Sequence, residues 1–271
     1  MIIYYAHPIE TYNTYLEYNT ERLIRDKFGF CIHIHDPLDL FMMHKNRELD
    51  LKLNETLSKM RDLVQEFENK IPEEEAKGVA YSFIEIIKNI NFPSDVSAIV
   101  VNPKIFSHVL LHRFRSRIFK SRSYPHFCFG LIDKCDLIVA HGYLMDEEIK
   151  RLVMSWLQYV KYASRDKRVK GYCEELINLI SKARSTIWSP GTRTELIYGL
   201  EKGKEVYVVT NLKDLKLNKI SYIKDMDLQI STVPFDRYGL RLYNKVWRPI
   251  ISNIYSTLDE LHYQKLMLAE L

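Results

Sequence analysis

The sequence contains few of the residues that mark disorder or disulfide scaffolds, and it lacks long apolar runs. Its 271 residues include only 9 glycines and 9 prolines, and no segment is low in complexity, so an ordered chain is expected nearly throughout. The 4 cysteines form no CxxC pair, and a chain of this length does not need a disulfide framework, so reduced thiols are expected. No apolar run approaches the roughly 20 residues that a membrane-spanning helix requires.

The net charge and the first residues of the chain further limit the classes of protein that fit the sequence. The net charge of +4 suits the binding of an anionic small molecule but is too mild for a dedicated nucleic-acid binder. The chain starts with a strand-like run and no positively charged leader, so a cytoplasmic protein is expected. Lysine, glutamate and isoleucine are abundant and glutamine is scarce, a bias found in heat-adapted proteins, and a thermophilic source is one interpretation of it.

The pattern of apolar residues predicts an α/β fold. Short buried-type runs alternate with segments of helical spacing, and the first strand, helix and second strand form a βαβ unit. We therefore expect a Rossmann-like (flavodoxin-like) parallel sheet flanked by helices. The predicted strands are residues 2–6, 30–35, 96–101, 137–140 and 205–210.

Two long helical stretches interrupt this order. They cover about residues 40–95 and 143–185, and a helical extension is predicted from about residue 244. We expect all of them to belong to a single α/β domain, 1–271, in which the two stretches are insertions.

The most informative segment is Ser189-Pro190-Gly191-Thr192-Arg193-Thr194-Glu195, which precedes a helix, a glycine cap and a buried strand. A tight turn at Pro190-Gly191 would point backbone amides above the sheet edge, where they suit an anion or a sugar hydroxyl. Glu195 would lie in the first helical turn, whose dipole favours the ionised carboxylate. Two interpretations fit this glutamate, a nucleophile for an anomeric carbon and an ordinary capping-box residue.

Residues 189–209 resemble the signature of the nucleoside 2-deoxyribosyltransferase family and its relatives, the 2'-deoxynucleoside 5'-phosphate N-hydrolases. The shared features are a polar residue, a glycine-containing loop, a glutamate six positions after the polar residue, and a helix that ends in a Gly-Lys strand. Ser189 matches the serine of the monophosphate hydrolases. Residues 3–9 are similar to the family's opening strand and loop, and residues 131–140 to its helix followed by an apolar strand.

The resemblance implies a chemistry and a set of residue roles. Glu195 would attack C1' of the sugar, a glycosyl-enzyme would form with retention of configuration, and Tyr4 would hold the carboxylate. Ser189 and the amides around Gly191 and Thr192 would contact a sugar hydroxyl or a 5'-phosphate. Arg193 would add charge for a phosphate or would point to solvent. No cofactor is implied, and a homo-oligomer is expected.

One departure from the family concerns the proton of the departing base. The family uses an aspartate eight positions before the equivalent of Asp136, and here that position is Cys128. His126, two residues away, has the chemistry of an acid or base near neutral pH, although it also fits an ordinary loop histidine. The predicted catalytic residues are therefore Glu195, Tyr4 and His126.

Other polar residues follow the predicted strands. His7 lies in the opening loop, and His35 and Asp36 come at the carboxyl end of the second strand, where α/β proteins bind ligands, so we expect all three to line a substrate pocket. Cys31, His33 and His35 share one strand face, but the usual fourth metal ligand is missing, and no metal site is predicted.

Residues 112–122 form the densest basic run, with aromatic residues interleaved. The run fits either nucleotide or single-stranded nucleic-acid binding, or a solvated helix face. Three functions remain open: an N-glycosidic enzyme that acts on a nucleoside or nucleotide, a non-catalytic nucleotide-binding or sensing protein of the same fold, and an interaction module. The first is favoured, and nucleic acid is not.

Overall fold

The protein is an α/β structure, described by a computed structural model over residues 1–35, 37–67, 71–103, 105, 124–183, 186–210, 215–222, 233–234 and 239–269. Helices flank a mostly parallel sheet of six strands, in agreement with the predicted fold class. None of the helices in these ranges is both long and apolar enough to cross a lipid bilayer.

The strands form two sheets. The large sheet has the order β2-β3-β1-β4-β7-β8, and β5 and β6 form a small antiparallel pair. In chain order the strands are β1 Ile2–Ala6, β2 Cys31–Ile34, β3 Ala98–Val101, β4 Leu137–His141, β5 Tyr143–Leu144, β6 Thr186–Ile187, β7 Glu205–Val209 and β8 Leu217–Ile220.

The helices account for most of the remaining described residues. In chain order they are α1 Tyr15–Phe28, α2 Pro37–Met42, α3 Arg47–Glu66, α4 Glu73–Lys88, α5 Tyr124–Lys134, α6 Glu147–Ala163, α7 Lys167–Lys182, α8 Pro190–Glu201, α9 Gly239–Leu242 and α10 Arg248–Ala269. A 3₁₀ turn covers Ile9–Thr11, and a π-helical turn, Tyr243–Trp247, joins α9 to α10.

The parallel βαβ arrangement predicted from the sequence is confirmed. Strands β1 and β2 both pair with β3 in parallel, with Ile3 opposite Val100 and Ile32 opposite Ile99. All five residues of β1 are buried, as its uninterrupted apolar run indicated. Strand β8, on the outer side of β7, was not predicted, and neither were the two-residue strands β5 and β6.

The chain packs into two compact units that alternate along the sequence. The first contains Met1–Ala6, Arg25–Val139 and Thr194–Tyr207, and the second contains His7–Ile24, Ala140–Arg193 and Val208–Leu271. The single domain stays a prediction. Of the two expected insertions, the one at 40–95 contributes α3 and α4 to the first unit, and the one at 143–185 contributes α6 and α7 to the second.

The first unit depends on a close approach of helices α4 and α5 at Gly130. A β-carbon at this position would lie 2.7 Å from Cβ of Ala80 and 2.9 Å from Cα of Lys77. Because one of these atoms belongs to the backbone of α4, a side chain at Gly130 would push the two helices apart.

We expect Gly130→Ala to lower the free energy of unfolding by about 1–3 kcal/mol, because overpacking outweighs the better helix propensity of alanine. Gly78→Ala on α4 is the matched control, since its β-carbon would approach nothing closer than Lys59 Nζ at 3.9 Å. This change should raise the free energy of unfolding by about 0.5–1 kcal/mol. Urea denaturation measures both, and effects of the same sign would contradict the packing at Gly130.

The second unit has its own apolar core. Helices α6 and α7 pack together, with an ion pair of 2.8 Å between Lys161 and Glu174. Trp247 is fully buried and lies edge-on to Tyr143, with ring centroids 5.4 Å apart. The hydroxyl of Tyr143 donates to Glu10 Oε2 over 2.7 Å.

Candidate active site

Glu195 lies in the second turn of α8, one turn later than the sequence predicted. The helix begins at Pro190, and the Ser189 hydroxyl accepts a hydrogen bond of 3.1 Å from the amide of Thr192. Ser189 is therefore the N-cap of the helix, and proline at the first helical position is common. The expected tight turn and loop are wrong, because Pro190 to Thr194 are already helical. Glu195 is not a capping-box residue either.

Two side chains of the first unit interact with the Glu195 carboxyl group. Tyr4 comes from the buried strand β1, and Cys128 comes from α5; both side chains are fully buried, and Glu195 is 6% exposed. Tyr124 lies one turn before Cys128 on the same face of α5 and also interacts with the thiol. The structure thus brings together two of the predicted catalytic residues, Tyr4 and Glu195, and adds Cys128 and Tyr124.

Burial changes the acidity of Glu195. Loss of solvation raises the pKa of its carboxyl group to about 7, although the Cys128 thiol and the Tyr4 hydroxyl each lower it by interacting with the carboxylate. The ionised form expected from the helix dipole is therefore not strongly favoured, because the dipole acts mainly in the first turn. At pH 7 the group exists in comparable amounts as acid and as carboxylate.

The thiol and the phenol beside Glu195 hold their protons. Burial and the nearby Glu195 charge raise the pKa of Cys128 well above that of an ordinary thiol. Burial also raises the pKa of Tyr4, and its interactions with Cys128 and Glu195 add to the increase. The Tyr4 hydroxyl makes no hydrogen bond of normal geometry with the described residues, although it lies near enough to both groups to act on their acidity.

This group of residues suits proton and covalent chemistry. Here the thiol and the phenol are held protonated, which leaves Glu195 as the single group that ionises near neutral pH.

His126 lies outside this cluster. It is two residues from Cys128 on α5 and so points from a different face of the helix. Its Nδ1 is 3.7 Å from Glu73 Oε2, and its ring contacts Phe129 edge-on. The expected role of His126 as the acid or base therefore has no contact with Glu195 to support it.

Asp133 makes its contacts away from the Glu195 carboxyl group, with residues of α4 and α8. Its carboxylate accepts hydrogen bonds from the hydroxyls of Tyr81 on α4, over 2.9 Å, and Tyr198 on α8, over 2.7 Å. The ring of Tyr198 also stacks on Phe129 with centroids 4.0 Å apart. These contacts tie α8, which carries Glu195, to α5, which carries Cys128.

Several predicted substrate-binding residues belong to the second unit. Ser189 and Thr192 are buried and bind each other through their hydroxyls over 2.9 Å. Gly191 has helical backbone and open space where a β-carbon would lie, so neither a turn nor a close contact requires glycine there. Arg193 continues the same helix, its amide donating to the Ser189 carbonyl over 3.0 Å.

His7 is enclosed by residues of its own unit. Its Nδ1 lies 3.1 Å from Thr11 Oγ1, and its Nε2 lies 3.3 Å from Glu17 Oε1. Burial lowers the pKa of this histidine, although Glu17 opposes the effect. A fully enclosed imidazole of this kind supports the packing of α1, and none of these contacts indicates a ligand.

His35 follows strand β2 in the first unit. Its amide donates to Asp39 over 2.9 Å, and its ring stacks on His33 with centroids 5.9 Å apart. The neighbouring Asp36 and the basic run 112–122 lie outside the described residues. Their predicted roles stay predictions.

Comparisons of the chain with family models, curated proteins and solved structures gave no match. The residues around Glu195 are therefore the features of the chain that bear on its function.

The contact between Cys128 and Glu195 was missed at the sequence level, where Cys128 stood only as a departure from the family pattern. The helix that carries it, α5, begins at Tyr124. A helix that includes both Tyr124 and Cys128 places them one turn apart on one face, which is the signal that a longer predicted helix would have given.

Proposed function

We propose that the protein cleaves or transfers at the N-glycosidic bond of a nucleoside or nucleotide, with Glu195 as the nucleophile. The observation that carries this proposal is the buried carboxyl group of Glu195 beside the Tyr4 hydroxyl. A carboxyl group whose pKa is about 7 is partly ionised at neutral pH, and its ionised form can attack as a nucleophile. The resemblances of residues 189–209 and residues 3–9 to an N-glycosidic family point to the same two residues.

The reaction proceeds in two displacements. A carboxylate oxygen of Glu195 forms a bond to C1' of the sugar while the bond from C1' to the base nitrogen breaks, and its electron pair leaves with the base. Water or a second base then attacks C1', the ester bond breaks, and the carboxylate is restored. Each displacement inverts C1', so the configuration is retained. The Tyr4 hydroxyl orients the carboxylate through both steps.

The departing base needs a proton, and Cys128 is a poor source of one. Its thiol is fully buried, and its pKa is raised well above the ordinary value. A general acid works best when its pKa lies near the working pH. This observation supports a second candidate function, a non-catalytic protein that binds or senses a nucleotide at the same site.

Product analysis tests the first candidate directly. The protein is incubated with a panel of deoxynucleosides, deoxynucleoside 5'-monophosphates and NAD, and free base is measured by chromatography. Base release, together with a peptide containing Glu195 that carries the mass of the sugar, is the result expected of a glycosyl-enzyme. Tight binding of a panel member without base release would replace the enzyme with the sensing protein.

The Cys128→Asp variant should release base at least about 10-fold faster than the wild-type protein, because a carboxyl group can protonate the departing base. Cys128→Asn is the matched control, since asparagine has nearly the same shape and no acidic proton. Initial rates on the best substrate of the panel measure the effect. Equal rates for the two variants would show that proton transfer at this position does not limit the reaction.

A further inference from the structure

Helix α6 of the second unit exposes an apolar stripe to solvent. Leu152, Trp156 and Tyr159 follow one another at intervals of four and three residues, so they share one face of the helix. Leu152, the least exposed of the three, is 48% exposed, and the nearby Tyr162 is 89% exposed. The ring of Trp156 lies edge-on to that of Tyr159, with centroids 6.2 Å apart. A continuous apolar surface of this kind indicates an interaction site.

The packing of α6 within its own unit uses the other face of the helix. Ile149, Val153 and Leu157 are buried there in the core of the unit. Eleven large apolar residues are exposed in the described part of the chain, and four of them belong to this one helix. Single exposed apolar residues are ordinary, but a concentration on one helix is not. Helix α6 therefore has a second apolar face that the described residues cover only in part.

A cavity of about 460 Å³ lies beside the stripe and is lined by residues of α6, α1 and α10. Leu152 and Trp156 form part of its wall, so the cavity and the stripe are one continuous surface. The other apolar lining residues are Leu16, Ile149, Ile254, Tyr255 and Leu258. A cavity of this size and character can accept bulky side chains of a docked protein.

The cavity has an acidic rim at the N-terminal end of α6. Asp146, Glu148 and Asp259 line it, and its described lining includes no lysine or arginine. Asp146 caps α6 by accepting from the amide of Ile149 over 2.9 Å, and Asp259 accepts from the amide of Tyr15 over 2.6 Å. These two carboxylates are therefore fixed in place. Charge complementarity favours a partner with cations beside an apolar surface.

The other end of α6 has the complementary charge. Arg165, Lys167 and Arg168 follow the helix, and all three are exposed, with Asp166 as the one acidic residue among them. Along the chain, the exposed surface of α6 and its flanks thus changes from acidic to apolar and then to basic. A surface with this order is complementary to a second copy of itself in the opposite direction.

We propose that a second copy of the chain docks on this surface, related to the first by a twofold axis that passes near Trp156. Glu148 lies eight residues before Trp156, about 12 Å along the helix axis. Arg165 lies nine residues after Trp156, just beyond the end of the helix. In an antiparallel pair of α6 helices, the acidic end of each copy meets the basic end of the other. A parallel pair would bring like charges together.

The antiparallel pair also suits the cavity. Tyr159 and Tyr162 follow Trp156, so each copy would present them to the part of α6 that precedes Trp156 in the other copy. That part contains Ile149 and Leu152, which line the cavity. Each copy thus supplies both the aromatic side chains and the cavity that receives them, as a twofold interface requires. The dimer uses no residue of the Glu195 cluster and does not depend on the proposed N-glycosidic reaction.

Sedimentation equilibrium over a range of concentrations tests the dimer, and the wild-type protein should show twice the mass of one chain. The Trp156→Ala/Tyr159→Ala variant should raise the Kd of the dimer at least about 100-fold, because the axis repeats the loss of both aromatic side chains. Tyr222→Ala is the matched control, since it removes an exposed tyrosine of the same unit outside α6. It should leave the Kd unchanged. A wild-type monomer up to about 100 μM, or equal effects in the two variants, would overturn the interface.

Exchange of charges tests the antiparallel direction. Glu148→Lys should weaken the dimer at least about 10-fold because basic ends then meet, and Arg165→Glu should do the same because acidic ends meet. Both side chains are exposed, so neither change disturbs the core. An equimolar mixture of the two variants should dimerise with a Kd within about threefold of the wild-type value, because opposite charges again meet on both sides of the axis. A mixture that stays monomeric would overturn the proposed pairing.

Discussion

The Glu195→Gln variant is expected to release base at least about a thousandfold more slowly than the wild-type protein, because an amide cannot form the ester to C1'. Glutamine keeps the size of the side chain and its place between Tyr4 and Cys128, so the loss would report on the nucleophile and not on packing. Initial rates at pH 8 with the best substrate of the panel measure it. Substrate affinity should change much less, because the interaction that is lost belongs to the transition state.

The matched control is Glu201→Gln, an exposed glutamate at the end of the same helix, which should retain the wild-type rate. The pH profile is a second check. Because the attacking form is the carboxylate, kcat/KM in the wild-type protein should rise with pH and level off above the Glu195 pKa of about 7. A rate that falls through this pH range would make Glu195 a proton donor and remove it as the nucleophile.

Glu195→Gln should also be more stable than the wild-type protein at high pH, by about 3 kcal/mol relative to their difference at low pH. The folded pKa of about 7 lies above the ordinary value of 4.5, so folding favours the protonated form. The stability that this preference provides is fully present below pH 4.5 and is lost as the pH rises through 7. The difference between a folded pKa of about 7 and the ordinary 4.5 corresponds to about 3 kcal/mol.

Urea unfolding of both proteins at pH 4.5, 6, 7 and 8 measures this difference. The gap should open between pH 4.5 and 7 and then stay constant, with Glu201→Gln following the wild-type protein at every pH. Parallel curves for Glu195→Gln and the wild type would mean that Glu195 titrates normally. A variant that gains stability without any loss of base release would make Glu195 a buried acid that the reaction does not use.

Much of the fold was predictable because its central strands are apolar runs. Strands β1, β4 and β7 are buried nearly throughout, and a continuous apolar run is what such strands require. Strand β8 was missed because Leu217–Ile220 has two polar residues between its ends and no apolar run. As an edge strand, β8 is less restricted in its sequence than a central strand.

The site was predictable only where it depends on local sequence. Glu195 and Tyr4 were identified from short motifs, and both lie in the cluster. The start of α8 was misplaced although Ser189-Pro190 is a common helix start, because the turn interpretation was preferred. The contact of Cys128 with Glu195 depends on the packing of α5 and α8, which no local sequence pattern reports.

The Asp133 carboxylate, which accepts hydrogen bonds from Tyr81 and Tyr198, also bears on the chemistry of Glu195. Tyr198 lies one turn after Glu195, and it is held against α5 by the Asp133 carboxylate and the Phe129 ring. The distance between Glu195 and Cys128 therefore depends on contacts between α5 and α8 that involve neither residue. Because burial is the main cause of the raised Glu195 pKa, we expect a change that loosens these contacts and admits solvent to lower that pKa, although none of the three residues acts on Glu195 directly.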